Sequence, residues 1–521
     1  MERGQGVGNM TKSIGLVTAT ILLGAGSALA QPAGEPTPPP ATPTTPTTTT
    51  PTTPTVGPPN TTTPVEPTPP PTTPVVVTPP VNTPTLAPTA MDKPAGKKPS
   101  SGSVSSKIDV TVYGFVELDS IWDSTQGLND LQGNTAIARP NTYAGDHPQL
   151  TFGARNSRIG LKLASPTNTD DFKVTGQMEM DFLGNQPAGI SEASFWQNAP
   201  FRFRHINVKL ETKVVDMLFG QYWQLFGWQG INQPNTVAIQ GIPGEIYSRA
   251  PQIRISKKIP GGDAVSLDIA VAASRPVSRA SSSPDGQAGL RLNFDKLKAW
   301  HTGGSTGSSL DSAMIGVSVV GRRLAVNEFS ANPHSQVVRN GYGLSVDALL
   351  PIIPASKEHH GGAFTIQGSY VNGAGIADLY TSLSGGTGNP GLPNPSMANP
   401  APVYTPNIDG GIVLYHNDGG GMFSLHPIQW TSYLAGAQYY FPGSGRVWLA
   451  ANYSHLESDN AHLYGGPTKV FDKQDWFDGN LFIDATANVR FGFEFSRTQQ
   501  TYVDKTEADD NRAQFSAFLL F

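Results

Sequence analysis

The stretch AQFSAFLLF at residues 513–521 decides the fold of this chain. Apolar residues occupy every odd position, and the last residue, Phe521, is aromatic. A period of two residues is typical of a strand with one apolar face. A long apolar strand at an open sheet edge invites aggregation, whereas a strand that closes a barrel in lipid leaves no open edge. The stretch therefore predicts the last strand of a transmembrane β-barrel.

The same alternation recurs upstream. Around residues 108–118 the apolar face alternates with a polar face that carries Glu117 and Asp119. The alternating segments are 107–122, 157–164, 171–182, 205–210, 214–223, 250–258, 264–273, 287–293, 313–320, 341–349, 363–371, 410–416, 430–441, 445–454, 480–489, 490–498 and 510–521. Because single-chain bacterial barrels carry even numbers of strands, we expect one segment to be a loop piece. The prediction is an all-β, antiparallel barrel of about 16 strands over residues 107–521, with 18 as the alternative.

Composition and loop signals agree with a barrel. The chain has no cysteine, 56 glycines and a mean hydropathy of −0.25, a modest value that a barrel with a polar lumen explains. Stretches at 384–406 and 299–312 are predicted to be loops. Aromatic residues near predicted strand ends would form membrane-interface girdles or, alternatively, ordinary core; they are Tyr439, Tyr440, Phe441, Trp448, Trp476, Phe477, Phe482, Phe491, Phe493 and Phe495.

Residues 1–30 have the layout of a secretory signal peptide. Arg3 and Lys12 precede a short apolar run, and small residues lead to a cleavage site after Ala30. Met10 is an alternative start, since Lys12 alone would supply the basic region. The run is too short for a membrane-spanning helix, so we expect an exported protein.

Residues 31–106 are dominated by proline and threonine. This segment lacks the apolar content needed to offset ordering entropy, so it is predicted to be a disordered periplasmic linker with polyproline II character. It would act as a spacer or, alternatively, bind the cell wall or a periplasmic partner, with Lys93, Lys97 and Lys98 near its end.

Basic residues concentrate in the early predicted strands. They are Arg155, Arg158, Lys162, Lys173, Arg202, Arg204, His205 and Lys209, followed by Arg254 and Lys257. Neighbouring strands of a barrel are neighbours in space, so these residues can form a ladder on one inner wall, and such rows select for anions. The alternative is that they pair with Glu117, Asp119, Glu179 and Asp181 and merely fill the wall. The alternation breaks at 202–206, which indicates a bulge or a later strand start.

An irregular segment at 227–247 lies between two predicted strands. It is rich in Gly, Pro, Asn and Gln but also carries aliphatic residues for packing. We therefore expect it to fold into the lumen as a constriction, with packing on the outer rim as the alternative. The candidate constriction residues are Gln233, Asn235, Gln240 and Glu245.

Four motifs carry a family resemblance: ARNSRIGL (154–161), FGQYWQLF (219–226), PNTV (234–237) and IYSRAPQIR (246–254). The first looks like the second-strand signature of Gram-negative porins. Together with the opening VYGF (112–115) and the terminal Phe521, the set resembles the DcaP-like branch of trimeric outer-membrane porins. The resemblance implies a 16-stranded barrel, three barrels to an assembly and an infolded loop. It covers about 107–255 and the C-terminus. Members of this branch can carry an N-terminal coiled coil, whereas Pro/Thr-rich sequence stands there in this chain.

The function that these patterns favour is a passive outer-membrane diffusion channel for small hydrophilic, anionic solutes. An alternative is a barrel anchor whose Pro/Thr-rich arm tethers to the cell wall or to a periplasmic partner. An autotransporter would have a very short passenger. The histidines are scattered and no catalytic or phosphate-binding motif occurs, so an enzyme is not expected.

The expected location is the cell outer membrane, with the N-terminal arm in the periplasm. The expected partners are outer-membrane lipid, two further copies of the chain, small solutes, and the barrel-assembly machinery, which would recognise Phe521 as an assembly signal. No cofactor, metal or nucleic acid is expected.

Overall fold

The computed structural model describes residues 108–128, 130, 137–184, 191–229, 233–238, 241–302, 308–327, 334–356, 359–381, 383, 412–419, 422–464 and 471–521. The predicted signal peptide at 1–30, the predicted linker at 31–106 and the predicted loop at 384–406 lie outside these residues, as does Gln240.

Strands dominate the described part of the chain. They are β1 (Asp109–Asp123), β2 (Gln149–Gly153), β3 (Arg158–Ala164), β4 (Phe172–Asp181), β5 (Arg202–Thr212), β6 (Asp216–Trp223), β7 (Arg249–Pro260), β8 (Val265–Ser274), β9 (Asp285–Thr302), β10 (Ser308–Asn327), β11 (Gln336–Ile353), β12 (Phe364–Ala374), β13 (Val413–Gly419), β14 (Met422–Pro427), β15 (Gln429–Tyr440), β16 (Val447–Glu457), β17 (Phe471–Asp484), β18 (Val489–Tyr502) and β19 (Glu507–Leu520). The helical segments are α1 (Tyr143–Asp146), α2 (Glu192–Gln197) and the short 3₁₀ turns Phe226–Trp228, Ala377–Leu379 and Ala461–Tyr464. Among the described residues, no helix has the length and apolar character needed to cross a membrane.

The strands form one closed antiparallel barrel with 16 strand positions. Neighbouring strands pair in sequence order, and β1 pairs with β19 to close the ring. The segments β2 and β3 both pair with β1, so they are two halves of one barrel strand interrupted at 154–157. The hairpin β13–β14 lies outside the ring, and β12 pairs directly with β15. The predicted 16-stranded antiparallel barrel is confirmed.

The two ends of the barrel differ in their connections. One end has short turns such as 213–215 and 485–488, and we call it the short-turn end. The other end has longer connections such as 124–148 and 224–248, and we call it the long-loop end. In outer-membrane barrels the short turns face the periplasm.

The outer face of the barrel is apolar, as the alternation predicts. On β1, Val112 and Leu118 are 53% and 51% exposed, while Glu117 and Asp119 beside Leu118 are fully buried on the lumen side. Other exposed apolar residues of the outer face include Ile253, Val271, Leu290, Ile315, Val346, Leu449 and Phe495. A closed ring with this apolar exterior is the surface of a membrane-spanning barrel.

Phe521 lies at the seam where the barrel closes. Its backbone N–H donates to the carbonyl of Gly114 at 3.0 Å, and the Gly114 N–H donates back to the carbonyl of Phe521 at 2.9 Å. Gly114 has φ +155°, and a Cβ there would lie 2.2 Å from the carbonyl oxygen of Arg158. The terminal aromatic residue therefore belongs to the ladder between the first and last strands, and its side chain is half exposed on the outer face.

A bulge explains the broken alternation in β5. Opposite β4, Glu179 pairs with His205 but Met180 pairs with Phe203, so Arg204 is the extra residue. The bulge turns both Arg204 and His205 to the inside, where each is buried. Of the two interpretations that the sequence allows for this stretch, the bulge is correct.

Two boundary predictions were wrong. The segment 299–312, predicted as a loop, belongs largely to the ends of β9 and β10, whose Gly/Ser-rich sequence and register shift at Ser312 hide the alternation. The segment 480–489 merges the end of β17 with a turn, because polar Lys473 and Asp475 on the first half of β17 obscure its apolar face. The described part of the segment 410–416 belongs to the β13–β14 hairpin outside the ring, so it is the one segment that was expected to be a loop piece.

The candidates for an aromatic girdle divide between the two faces of the barrel. Phe441, Phe477, Phe493 and Phe495 are 40–52% exposed on the outer face, where girdle residues lie. In contrast, the lumen side holds a packed aromatic cluster; its members include Tyr440, Trp448, Phe482 and Phe518. The Trp448 and Phe482 rings stack at 3.9 Å. The girdle candidates Tyr440, Trp448 and Phe482 are thus core residues of the barrel interior.

Candidate pore and its infolded loop

The connection between β6 and β7 enters the lumen instead of covering the rim. Near its start, the Phe226 N–H donates to Oε1 of Gln287 on β9 at 2.9 Å. The Gly227 N–H donates to the hydroxyl of Ser318 on β10 at 2.8 Å. Since Gln287 and Ser318 face the inside, these bonds draw the loop into the barrel.

The middle of the same loop contacts the wall formed by β16–β18. The Thr236 hydroxyl donates to Oε2 of Glu494 at 2.6 Å, and the Val237 N–H donates to Oδ1 of Asn480 at 2.9 Å. The Asn235 carbonyl accepts from Nδ2 of Asn452 at 2.8 Å. The loop therefore reaches from β9 and β10 to β16–β18 within the lumen. The carbonyl of Gln233, another candidate constriction residue, accepts a hydrogen bond from Nε2 of His301 at 3.0 Å.

Glu245 stabilises the last part of the loop, which leads back to β7. Its Oε2 accepts the Ile242 N–H at 3.1 Å, and its carbonyl accepts the Thr381 N–H at 3.1 Å. The side chain is buried, and burial raises the pKa of Glu245 from 4.5 to about 8, although the bond from Ile242 opposes this shift.

Beside the end of the loop lies a group of four arginines, Arg158, Arg202, Arg204 and Arg249, which we call the arginine cluster. Arg204 is 1% exposed; its Nε donates to Oε1 of Glu179 at 2.7 Å and its Nη1 to Oδ2 of Asp181 at 3.2 Å. Arg202 makes a two-pronged contact with Asp181 at 2.6 and 2.9 Å. Arg158 lies 3.7 Å from Glu179. Four guanidiniums thus surround two carboxylates.

Tyr247 connects the loop to this cluster. Its hydroxyl accepts from Nη2 of Arg204 at 3.1 Å. Burial by itself raises the pKa of Tyr247, but the guanidiniums of Arg204, Arg249 and Arg158 stabilise the phenolate more strongly. The net pKa is about 8, which shows that the cluster has a surplus of positive charge.

A chamber of about 770 Å³ lies between the infolded loop and the short-turn end. Its wall is formed by β1 and β3–β9, and Trp228 and Gln229 of the loop form one side. Its basic lining residues are Lys162, Lys209, Arg254, Lys257, Lys258 and Arg291, and its acidic ones are Asp109, Asp216 and Asp268. Six basic groups against three acidic groups leave the chamber net positive.

The chamber cations differ in how they are held, since Arg291 forms an ion pair with Asp268 at 2.5 Å whereas two lysines are held lightly. The Lys162 Nζ lies 5.0 Å from the centre of the Tyr113 ring, and Lys209 pairs with Glu211 at 2.7 Å in a contact that is more than one third exposed. Arg254 donates to Gln252 at 3.1 Å and to the carbonyl of Trp223 at 2.5 Å. Lys162 and Lys209 hold their charge next to water.

The sequence-predicted ladder therefore divides in two. Arg158, Arg202 and Arg204 lie in the buried cluster with Glu179 and Asp181, as the alternative of a filled wall predicts. In contrast, Lys162, Lys209 and Arg254 line the chamber.

Two further basic candidates lie outside both groups. Arg155 pairs with Asp130 of a long loop at 3.1 Å and stacks on Phe195 at 3.9 Å. Lys173 is exposed near the short-turn end of β4, opposite Glu211.

The two acidic candidates on β1 are both buried on the lumen side. Asp119 accepts bonds from Asn156 at 2.8 Å and Gln514 at 3.1 Å, not from a cation. Glu117 is fully buried on the lumen side, and its backbone N–H donates to the Ser157 hydroxyl at 2.9 Å.

Sequence reasoning missed the residues that hold the loop, above all Asn452, Asn480 and Glu494. Each faces inward from a strand that was recognised, but an inward polar residue is expected everywhere in a barrel, so nothing singled these out. Arg249 was also missed, although it stands within the motif IYSRAPQIR. Among the described residues, no group of three or more His, Asp or Glu side chains is arranged to hold a metal ion.

A closed 16-stranded barrel with an apolar exterior and a loop across its lumen is the architecture of an outer-membrane porin. Among solved structures, this chain is similar to the outer membrane channel DcaP of Acinetobacter baumannii, with a TM-score of 0.55 and 17% identity over 80% of this chain and 98% of that chain. This likeness confirms, at the level of the fold, the resemblance to DcaP-like porins.

Weaker similarity extends to the anion-selective porin from Comamonas acidovorans (TM-score 0.43, 10% identity, 80% of this chain and 100% of that chain). It also extends to OmpF of Salmonella typhi (TM-score 0.44, 12% identity, 79% and 97%). No family model and no curated protein matches the sequence.

Proposed function

We propose that this protein is a passive, non-enzymatic diffusion channel of the outer membrane that admits small hydrophilic solutes and favours anions. The observation that carries the proposal is the net-positive chamber between the infolded loop and the short-turn end. In a confined lumen with low-dielectric walls, fixed cations raise the local concentration of anions. The loop then acts as the constriction that limits solute size.

We further propose that three copies assemble, that Phe521 is recognised by the barrel-assembly machinery, and that the chain is organised as signal peptide 1–30, periplasmic linker 31–106 and barrel 107–521. The place of Phe521 in the closing ladder and the resemblance to DcaP-like porins support this organisation. Protein lacking 31–106 should still form a heat-modifiable, protease-resistant barrel.

The direct test is the reversal potential of the purified protein in a planar bilayer under a KCl gradient. We expect an anion-favouring potential at about 0.1 M salt that weakens near 1 M, because the screening length falls from about 10 Å to about 3 Å. A channel that favours cations at low salt would contradict the anion preference. A barrel that conducts no ions would contradict the channel itself.

A further inference from the structure

The wall of β16–β18 carries a patch that receives the infolded loop, formed by Asn452, Asn480, Gly492 and Glu494. We call it the loop-binding patch. Glu494 is its centre: Oε2 accepts both the Thr236 hydroxyl at 2.6 Å and the Ala238 N–H at 2.9 Å. One carboxylate thus satisfies two donors of the loop in a buried site.

The amides of the patch are oriented by a further residue. Asp478 accepts the side-chain N–H groups of Asn480 at 2.7 Å and of Asn452 at 2.9 Å. Because its amide nitrogen is held there, Asn480 presents Oδ1 to the Val237 N–H at 2.9 Å. Polar residues that only line a lumen do not require oriented amides, whereas residues that bind a backbone segment do.

The shape of the wall matches the loop as well. A Cβ placed on Gly492 would lie 2.8 Å and 3.2 Å from the two methyl groups of Val237. Any side chain at this position would press against the loop, so the glycine leaves the space that Val237 fills. Val237 is fully buried and belongs to the aromatic cluster that contains Phe482.

We infer that Glu494 is a positioning residue that fixes the constriction loop against the far wall and thereby sets the cross-section of the pore. The inference rests on the proposed channel function. With the carboxylate removed, Thr236 and Ala238 lose their shared acceptor in a buried site, and the loop gains freedom to leave the wall. Solutes that the docked loop excludes would then pass.

The absence of cysteine from the chain allows a sharp experiment. Because a Cβ at position 492 would touch the methyl groups of Val237, cysteines at these two positions are candidates for a disulfide, which requires Cβ atoms about 3.5–4.5 Å apart. In the triple variant V237C/G492C/E494A, oxidation would hold the loop on the wall without Glu494, and reduction would release it. Single-channel conductance and the uptake of neutral oligosaccharides into liposomes are measured in both states.

We expect E494A, and the triple variant when reduced, to show a gain in conductance and to admit larger sugars. The oxidised triple variant should return to the wild-type conductance and size limit. E494Q, which keeps an acceptor, should stay near wild type, and T236V, which removes only one of the two bonds, should fall between.

Three results would overturn the inference while leaving the channel function intact. The first is a wild-type conductance for E494A, and the second is a double variant V237C/G492C that forms no crosslink on oxidation. The third is an enlarged pore in the oxidised triple variant. If E494A does not fold, T236V and the V237C/G492C crosslink still test whether the wall holds the loop. A wild-type barrel without conductance would instead count against the proposed function.

Discussion

The arginine cluster and the chamber lie on the same wall of the barrel, yet their cations have different surroundings. Arg204 is 1% exposed and bonds two carboxylates, whereas Lys162 is exposed to the lumen and rests on the ring of Tyr113. A buried charge requires partners, and a buried ion pair that loses one partner costs the fold much of its stability. A charge beside water keeps its field, weakened only by salt. The cluster therefore builds the wall and holds the loop, while the chamber acts on solutes.

The largest effect expected from this difference concerns folding. Arg204→Ala would leave Glu179 and Asp181 in a buried site without their central partner, and breaking a buried ion pair by removing one side costs about 3–5 kcal/mol. We expect a large loss of resistance to heat and urea, measured by the electrophoretic shift between folded and unfolded barrel.

Lys209→Ala is the matched control, because its pair with Glu211 is more than one third exposed and lies in the same strand. It should change stability by no more than about 1 kcal/mol. Equal losses for the two variants would contradict the division of the basic residues into a buried and a water-facing group.

A smaller but more specific effect is expected on selectivity. The chamber variant K162Q/K209Q removes two water-facing cations and keeps side chains of similar length. We expect the reversal potential to move toward cations, most strongly at low salt, while the barrel stays folded.

Lys473→Gln serves as the comparison, since this exposed lysine lies on the outer face near the long-loop end and pairs with Asp475 at 3.4 Å. It should leave the reversal potential unchanged. If the chamber variant also leaves it unchanged, the cations of the chamber do not set selectivity and the arginine cluster must be reconsidered.

The sequence was sufficient for the barrel because the period of two residues is imposed on each strand by lipid on one side and water on the other. The prediction failed where the difference between the apolar and the polar face of a strand is small. On the first half of β17, Lys473 and Asp475 face outward near the long-loop end, so the strand reads as polar and its start at Phe471 was missed. The bulge at Arg204 was visible as a break in the alternation, since one extra residue exchanges the two faces.

The site was less predictable because it depends on contacts between residues far apart in sequence. Thr236 and Glu494 are 258 positions apart, and neither belongs to a motif that links them. Similarly, the pattern placed Arg158, Arg204 and Lys162 in one ladder because all three point inward. Only the positions of Glu179 and Asp181 separate the first two from the third.

The smallest expected effect is a pH dependence of loop docking. It should change the size of the pore without changing its ion selectivity. The pKa of Glu245 is about 8 in the docked loop against 4.5 in its ordinary state, so the docked loop binds this proton more tightly than a released loop does. The contribution to docking is fully present below pH 4.5 and falls as the pH rises toward about 8. Above this pH, Tyr247 acts in the opposite direction, because its pKa is lowered to about 8 and its phenolate favours the docked state.

The measurement is therefore made between about pH 5 and about pH 8, below the range in which Tyr247 opposes the effect of Glu245. We expect more frequent excursions to a higher single-channel conductance near pH 8 than near pH 5, and E245Q should abolish the difference because its amide does not titrate. The ion selectivity of the main conductance level should stay constant, since the lysines and arginines of the chamber remain charged across this range. If selectivity changes with pH while the conductance excursions do not, the loop does not respond to Glu245, and a titrating group outside the loop controls the pore.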